Sequence, residues 1–155
     1  MATGREMFAQ GILVRLFRAW SACRSAGAAD FSRMHEIVAP LKLPDETVPA
    51  CASLFELVEA HLERALDAEC CCSQRLSADE RALLGVVSIA PALQPATSTL
   101  DVPHGLPGAI CWAAMVVRRA FAIEEGAALP DGFPKAAAGC PFDRRDSQKE
   151  ALRGV

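Results

Sequence analysis

Three consecutive cysteines, Cys70, Cys71 and Cys72, are the residues whose type and spacing most directly suggest chemistry in this chain. Thiols in such a run can bind a metal ion or undergo oxidation. A zinc site surrounds one ion tetrahedrally, with sulfur at about 2.3 Å. Adjacent residues on a helix project about 100° apart, and those on a strand point to opposite faces. Regular structure therefore cannot turn all three thiols toward one ion, whereas an irregular turn can bring two of them together.

A metal site built on this run needs its remaining ligands from elsewhere in the chain. His61 is predicted to lie upstream on the same helix, and at about 1.5 Å per residue it is roughly 13–17 Å away, too far to share an ion. The sequence contains no CxxC, CxxxC or HxxxH spacing, so Cys51, Cys111 or Cys140 would have to arrive by folding. We therefore predict no metal site and keep Cys70, Cys71 and Cys72 as the thiol candidates.

A redox role for the run requires a thiol pKa lowered by positive charge or by a helix N-terminus. Cys70 and Cys71 are predicted at the C-terminus of a helix, where the macrodipole opposes a thiolate, although Arg75 lies close by in sequence. Free cysteine is more often a small buried apolar residue. The favoured interpretation is therefore that the run packs at a corner between two helices, with metal binding and redox response as the alternatives.

The other polar residues form no catalytic pattern. The histidines are His35, His61 and His104, and His61 lies on an apolar stripe that favours a core or interface position. Asp79 and Glu80 suit the N-terminus of a helix, where their charge is favourable. The sequence contains neither a glycine-rich phosphate loop nor a nucleophile elbow. We expect no catalysis and no cofactor.

Composition and charge narrow the class of protein further. The 155 residues fit one domain, with 52% apolar and 23% charged residues, as in globular proteins. The net charge of −3 argues against a nucleic-acid partner, and Arg118-Arg119 is interpreted as an exposed pair at a helix end. The longest apolar run, 109–117, is shorter than the roughly 20 residues that span a bilayer. An odd number of cysteines without a secretory signal indicates reduced thiols in the cytoplasm.

The elements that must position these residues are helices. Ser77 and Glu80 match the capping-box pattern that opens the fourth segment. From Gly126 onward the composition shifts to Gly, Pro, Ala and charge, so residues 1–125 are predicted to form a helical domain and 126–155 a flexible tail or arm. The fold class is an all-α bundle of about five helices. The predicted helices cover residues 5–24, 30–39, 49–71, 77–90 and 107–124.

The cysteine run leads directly into Ser77-Ala78-Asp79-Glu80 and then into the pair Leu83-Leu84. This pattern resembles the central segment of an uncharacterised family of small helical bacterial proteins, in which a Cys-Cys-Cys run likewise precedes a capped helix with a Leu pair. The resemblance covers about residues 70–90. It implies a helical fold and carries no activity or ligand with it.

Apolar stripes occur on nearly every predicted helix, more than the interior of one small bundle needs. We therefore expect a non-catalytic helical interaction or regulatory protein, with a protein partner or a second copy of itself as a homodimer. The alternative is a cysteine-based metal-binding or redox-responsive protein that uses the run from Cys70 to Cys72. Neither hypothesis involves a membrane or a nucleic acid.

Overall fold

The computed structural model describes residues 4–28, 31–90, 107–121 and Phe142, without the side chains of residues 5 and 6. Within this part of the chain, apolar side chains at helical spacing form five α-helices. No strand occurs among these residues. The predicted all-α bundle of about five helices is confirmed. The elements are α1 (Gly4–Ser25), α2 (Ser32–Val38) continued by a 3₁₀ turn (Ala39–Leu41), α3 (Thr47–Leu62), α4 (Ala78–Ile89) and α5 (Gly108–Ala120).

Some of the features predicted from sequence lie outside the described residues. They are the start of the second helix at Asp30, the histidine His104, the cysteine Cys140, and the tail 126–155 apart from Phe142. Phe142 itself is buried, with 4% of its surface exposed, and belongs to the main apolar core. Among the described helices, none has the length and the apolar character needed to cross a bilayer.

The core forms where α3 and α5 pack against each other, with α1 and α4 closing it from the sides. Leu54 and Val58 on α3 and Ala114 and Val117 on α5 are fully buried. Their spacing of three and four residues places each pair on one helix face. The apolar stripe along α5 and its C-terminal end is buried: Ile110, Ala113, Ala114, Val117 and Phe121.

An aromatic cluster joins α1 to α3. The ring of Phe17 lies 5.2 Å from that of Phe55 in an edge-to-face arrangement, and Trp20 stands 5.3 Å from Phe55 and 6.0 Å from Phe17. Such pairs contribute about 0.5–1.5 kcal/mol beyond the burial of their apolar area. With few aromatic residues in the chain, this cluster fixes how α1 lies on α3, and therefore where the polar face of α1 is directed.

The third helix ends much earlier than predicted. The sequence prediction ran to residue 71, but α3 ends at Leu62, and Glu63 adopts a left-handed conformation with φ of 53°. The backbone N–H of Leu66 donates to the Glu59 carboxylate at 2.9 Å, and the N–H of Asp67 donates to Asp79 at 2.8 Å. These donors bind side-chain carboxylates in place of helical carbonyls, so the helix stops and residues 63–77 form an irregular loop.

The fourth helix begins as predicted. The Ser77 hydroxyl accepts from the N–H of Glu80 at 3.0 Å, and the Glu80 carboxylate accepts from the N–H of Ser77 at 2.9 Å, which completes the capping box. At the other end of α4, the Arg118 guanidinium donates to the carbonyls of Ser88 and Ala90. The prediction of an exposed pair is thus wrong for Arg118, which is 6% exposed and satisfies the last carbonyls of α4.

Candidate functional site

The three thiols lie on a tight turn in the loop between α3 and α4. The backbone N–H of Ser73 donates to the carbonyl of Cys70 at 2.9 Å, which closes a four-residue turn over Cys70–Ser73. All three cysteine side chains are exposed, so the predicted burial at a helix corner is wrong. The error follows from the helix boundary, because the run lies in the loop and not on an apolar helix face.

The turn brings two of the three sulfur atoms together. Cys70 Sγ and Cys72 Sγ lie 3.1 Å apart. That separation is about 1 Å longer than a disulfide bond of about 2.05 Å. Cys71 lies between the pair in sequence and is exposed as well. The expectation that an irregular turn can pair two of the thiols agrees with this geometry.

A buried ion pair fixes the turn to the helical frame. The Arg18 guanidinium on α1 donates to the Glu80 carboxylate through Nε at 2.7 Å and through Nη2 at 3.0 Å. The same guanidinium donates to the carbonyls of Ser73 and Arg75, each at 2.7 Å. Glu80 in turn accepts from the N–H of Glu69 at 3.1 Å. The loop is thus held on both sides of the thiols by one guanidinium and one carboxylate.

A second charged pair supports the start of the loop. Arg64 makes a two-pronged contact with the carboxylate of Asp79, at 2.8 and 3.0 Å, and Asp79 also accepts from the N–H of Asp67. The Ser77 hydroxyl donates to the carbonyl of Asp67 at 2.6 Å. The two acidic residues in the first turn of α4 therefore bind loop backbone as well as arginine, and both are buried.

The electrostatics of the turn divide the paired thiols into two roles. The N–H of Cys72, and after it the thiols of Cys72 and Cys71, hydrogen-bond to Cys70 and hold its pKa below the usual value, with a further contribution from the positive charge of Arg18. The pKa of Cys72 is raised, chiefly because its thiol shares a hydrogen bond with Cys70 and lies beside the Cys70 charge. Cys70 is therefore the thiol of the pair that loses its proton more readily, and Cys72 the one that keeps it. The expected opposition of a helix dipole does not arise, because no helix ends at Cys70.

Burial and hydrogen bonding compete at Glu80. Burial alone would raise its pKa, but hydrogen bonds from Arg18 and from the N–H groups of Ser77 and Glu69 outweigh burial and hold the pKa below its usual value. The pKa of Arg18 is raised, chiefly by its hydrogen bond to Glu80. Both groups are therefore charged at neutral pH. The anchor of the thiol turn is an ion pair and not a neutral contact.

None of the other cysteines that the structure describes completes a metal site at the turn. Cys51 on α3 and Cys111 on α5 are buried in the apolar core, and burial raises the pKa of each thiol. Within residues 4–28, 31–90 and 107–121, no group of three His, Cys, Asp or Glu side chains is placed to hold a metal ion. His61, for which a core or interface position was favoured, is exposed at the end of α3.

Sequence reasoning identified the thiols but missed the residues that hold them. Arg18 on α1 was not among the predicted site residues, and only 8% of its surface is exposed. Glu80 was recognised as half of a capping box, and its second role as the partner of Arg18 was not predicted. The one feature of the sequence that pointed to a buried cationic partner was the adjacent pair Asp79 and Glu80, which carries more negative charge than a single helix cap requires. Nothing in the sequence identified Arg18 as their partner.

Comparison with known proteins gives no match to any family model, curated protein or solved structure. The resemblance of residues 70–90 to an uncharacterised bacterial family therefore stays a prediction.

Proposed function

We propose that this protein is a thiol redox switch in which Cys70 and Cys72 form a reversible disulfide. The observation that carries the proposal is the 3.1 Å contact between the two exposed sulfur atoms. The opposite pKa directions of the two thiols support it, because a thiolate attacks and its neighbour then resolves the product. This is the redox-responsive alternative stated from the sequence, and it requires no catalysis and no cofactor.

The oxidant for the switch is a hydroperoxide. The Cys70 thiolate attacks one peroxide oxygen, the O–O bond breaks, and Cys70 becomes a sulfenic acid as hydroxide or alkoxide leaves. The Cys72 thiol then attacks Cys70 Sγ, the S–O bond breaks, and water is released as the disulfide forms. The protein loses two electrons and the peroxide gains them. A dithiol reductant restores both thiols, which places the switch in a reducing compartment such as the cytoplasm.

The test is a thiol count followed by oxidation. We expect a thiol reagent to modify the exposed cysteines of the native, reduced protein and to reach Cys51 and Cys111 only after unfolding. In a separate reduced sample, hydrogen peroxide should cause the loss of two hydrogen atoms within the tryptic fragment 65–75, which carries Cys70, Cys71 and Cys72 and no other cysteine. Dithiothreitol should reverse this change.

Three serine variants identify the sulfur atoms involved. Cys70→Ser and Cys72→Ser should abolish the reversible loss of hydrogen, and the matched control Cys71→Ser should retain it. Loss of the disulfide in the Cys71 variant alone, or no disulfide in the native protein, would refute the proposal. A stoichiometric metal ion retained after purification under reducing conditions would favour the metal-binding alternative instead.

The second candidate function is protein interaction, as the sequence suggested. It is favoured by large apolar side chains that stay exposed in the described part of the chain, among them the aromatic residues Trp112 on α5 at 54% and Phe8 on α1 at 51%. Exposed aromatic residues are enriched at protein interfaces. A homodimer would show as a doubled mass in light scattering, and Trp112→Gln should lower the dimer fraction. A strict monomer at high concentration would remove self-association.

A further inference from the structure

A groove of about 670 Å³ runs beside the thiol turn between α1 and α2. Ala19 and Ala22 form part of its α1 wall, and Ile37 and Leu41 supply apolar surface from α2 and the 3₁₀ turn. Small side chains on α1 leave the space open. Cys70 lines one edge of the groove. The volume falls within the roughly 300–1,000 Å³ typical of sites for small molecules.

The groove carries charges of both signs. Arg15 and Arg33 line it from opposite helices, both are exposed, and neither forms an ion pair with any described residue. Glu36 and Glu69 line it as well. Arg18 is the third arginine of the groove, but its guanidinium is already bound to Glu80. Two free guanidinium groups suit carboxylates, and the acidic residues suit an ammonium group.

The thiols are arranged around this groove in a specific way. Cys70 and Cys71 are among its lining residues, whereas Cys72 is not. A ligand in the groove therefore meets Cys70, while Cys72 approaches the same sulfur from outside the groove at 3.1 Å. Thiol–disulfide exchange needs this arrangement, because one protein sulfur forms a mixed disulfide with the ligand and a second protein sulfur then attacks the first and releases the ligand.

We infer that the groove binds a small zwitterionic disulfide that bears carboxylate and ammonium groups, and that it presents the ligand's sulfur atoms to Cys70. The inference rests on the proposed switch and names the molecule with which the switch equilibrates. Arg15 and Arg33 bind the carboxylates, and the apolar surface of Ile37 and Leu41 contacts the methylene groups of the ligand.

The exchange balances without any further reactant. The Cys70 thiolate attacks one sulfur of the ligand, the ligand S–S bond breaks, and the first half leaves as a thiolate that takes a proton from solvent. Cys72 loses its proton to solvent and attacks Cys70 Sγ, which releases the second half in the same way. The ligand gains two electrons and becomes two thiols. Cys70 and Cys72 lose two electrons and become a disulfide.

The experiment compares oxidised glutathione, which is zwitterionic, with bis(2-hydroxyethyl) disulfide, which is neutral. The rate of disulfide formation on the full chain is measured with each probe and divided by the rate of the same probe with a free model thiol, which removes the intrinsic reactivity of the probe. The corrected ratio is this quotient for oxidised glutathione divided by the quotient for the neutral disulfide. We expect the corrected ratio to favour oxidised glutathione about tenfold, equivalent to about 1.4 kcal/mol. Added salt should reduce this ratio, because the groove charges are open to solvent. In Cys72→Ser, a mixed disulfide with glutathione should accumulate on Cys70.

The double variant Arg15→Gln with Arg33→Gln should bring the corrected ratio to about one. Arg119→Gln is the matched control, because Arg119 is exposed on α5 and does not line the groove. Equal corrected rates with the two probes, or a preference that survives the double variant, would overturn the inference and leave the switch intact. Failure of Cys70 and Cys72 to form a disulfide with peroxide and with both probes would remove the switch itself.

Discussion

Replacing Glu80 by Gln tests whether the ion pair with Arg18 holds the thiol loop. The carboxylate accepts four hydrogen bonds: Oε1 binds Arg18 Nε and the N–H of Glu69, and Oε2 binds Arg18 Nη2 and the N–H of Ser77. A glutamine has nearly the same shape, but its amide nitrogen is a donor. Whichever way the amide is turned, its nitrogen faces two groups that are themselves donors.

The cost follows from that count. Two buried donors left unpaired lose about 1–3 kcal/mol each, and breaking a buried ion pair costs about 3–5 kcal/mol. Arg18 keeps its bonds to the carbonyls of Ser73 and Arg75, so we take the lower part of this range, about 3 kcal/mol. For a domain of this length that loss corresponds to a fall in Tm of about 6–12 °C.

Urea unfolding at neutral pH measures the effect as a change in midpoint at constant slope. Glu56→Gln is the matched control, because Glu56 is exposed on α3. A double-mutant cycle with Arg18→Met should show a combined loss smaller than the sum of the two single losses, since each change removes the same pair. A loss below about 1 kcal/mol in Glu80→Gln, the scale of an exposed pair, or simple additivity in the cycle would refute the reasoning.

Three further predictions address the same region. The pKa of Glu80 lies below its usual 4.5 in the folded protein, so the stabilisation that its carboxylate provides is complete above pH 4.5 and is lost as the pH falls through the pKa of the folded protein. The difference in unfolding free energy between the native protein and Glu80→Gln, measured in urea, should therefore narrow only at acid pH. Narrowing of this difference near neutral pH would contradict the prediction. Cys72→Ala removes a thiol hydrogen bond that lowers the pKa of Cys70. Alkylation of Cys70 by iodoacetamide at neutral pH should therefore slow, and the midpoint of its rate against pH should rise. An unchanged dependence of the rate on pH would count against the roles assigned to the two thiols. Ser77→Ala removes the helix cap and the bond to the Asp67 carbonyl, and urea unfolding should show a loss of about 2 kcal/mol, with a loss under about 0.5 kcal/mol as the contrary result.

The parts of this fold that were predictable are those set by neighbouring residues. Apolar spacing of three and four located α1 and α5, and the pattern from Ser77 to Glu80 placed the start of α4. The end of α3 was not predictable in the same way. Apolar residues continue at helical spacing through Leu66, but the backbone N–H groups there bind Glu59 and Asp79 instead of helical carbonyls. Competition between a local pattern and a distant carboxylate is decided only by the tertiary structure.

The same limit explains the errors about the thiols. Once the helix was extended to residue 71, burial and an unfavourable dipole followed for Cys70, and both expectations were wrong. The position of the thiols depends on Arg18, whose partner Glu80 lies 62 residues along the chain. A charged residue on a helix gives no sequence signal for a contact at that distance.

A buried ion pair is a poor way to gain stability, since apolar residues of equal volume often do as well or better. At this site the pair does something that apolar side chains cannot do. Arg18 binds two loop carbonyls and Glu80 binds a loop N–H, so the pair satisfies backbone groups on both sides of the cysteine turn. An irregular loop of this length would otherwise have to satisfy those groups with water and would be free to move. Arg18 on α1 and Glu80 on α4 therefore tie the backbone of the cysteine turn to both helices. Burying the two charges is costly, and what they hold in place is a pair of exposed thiols. For this reason we assign a function to the turn.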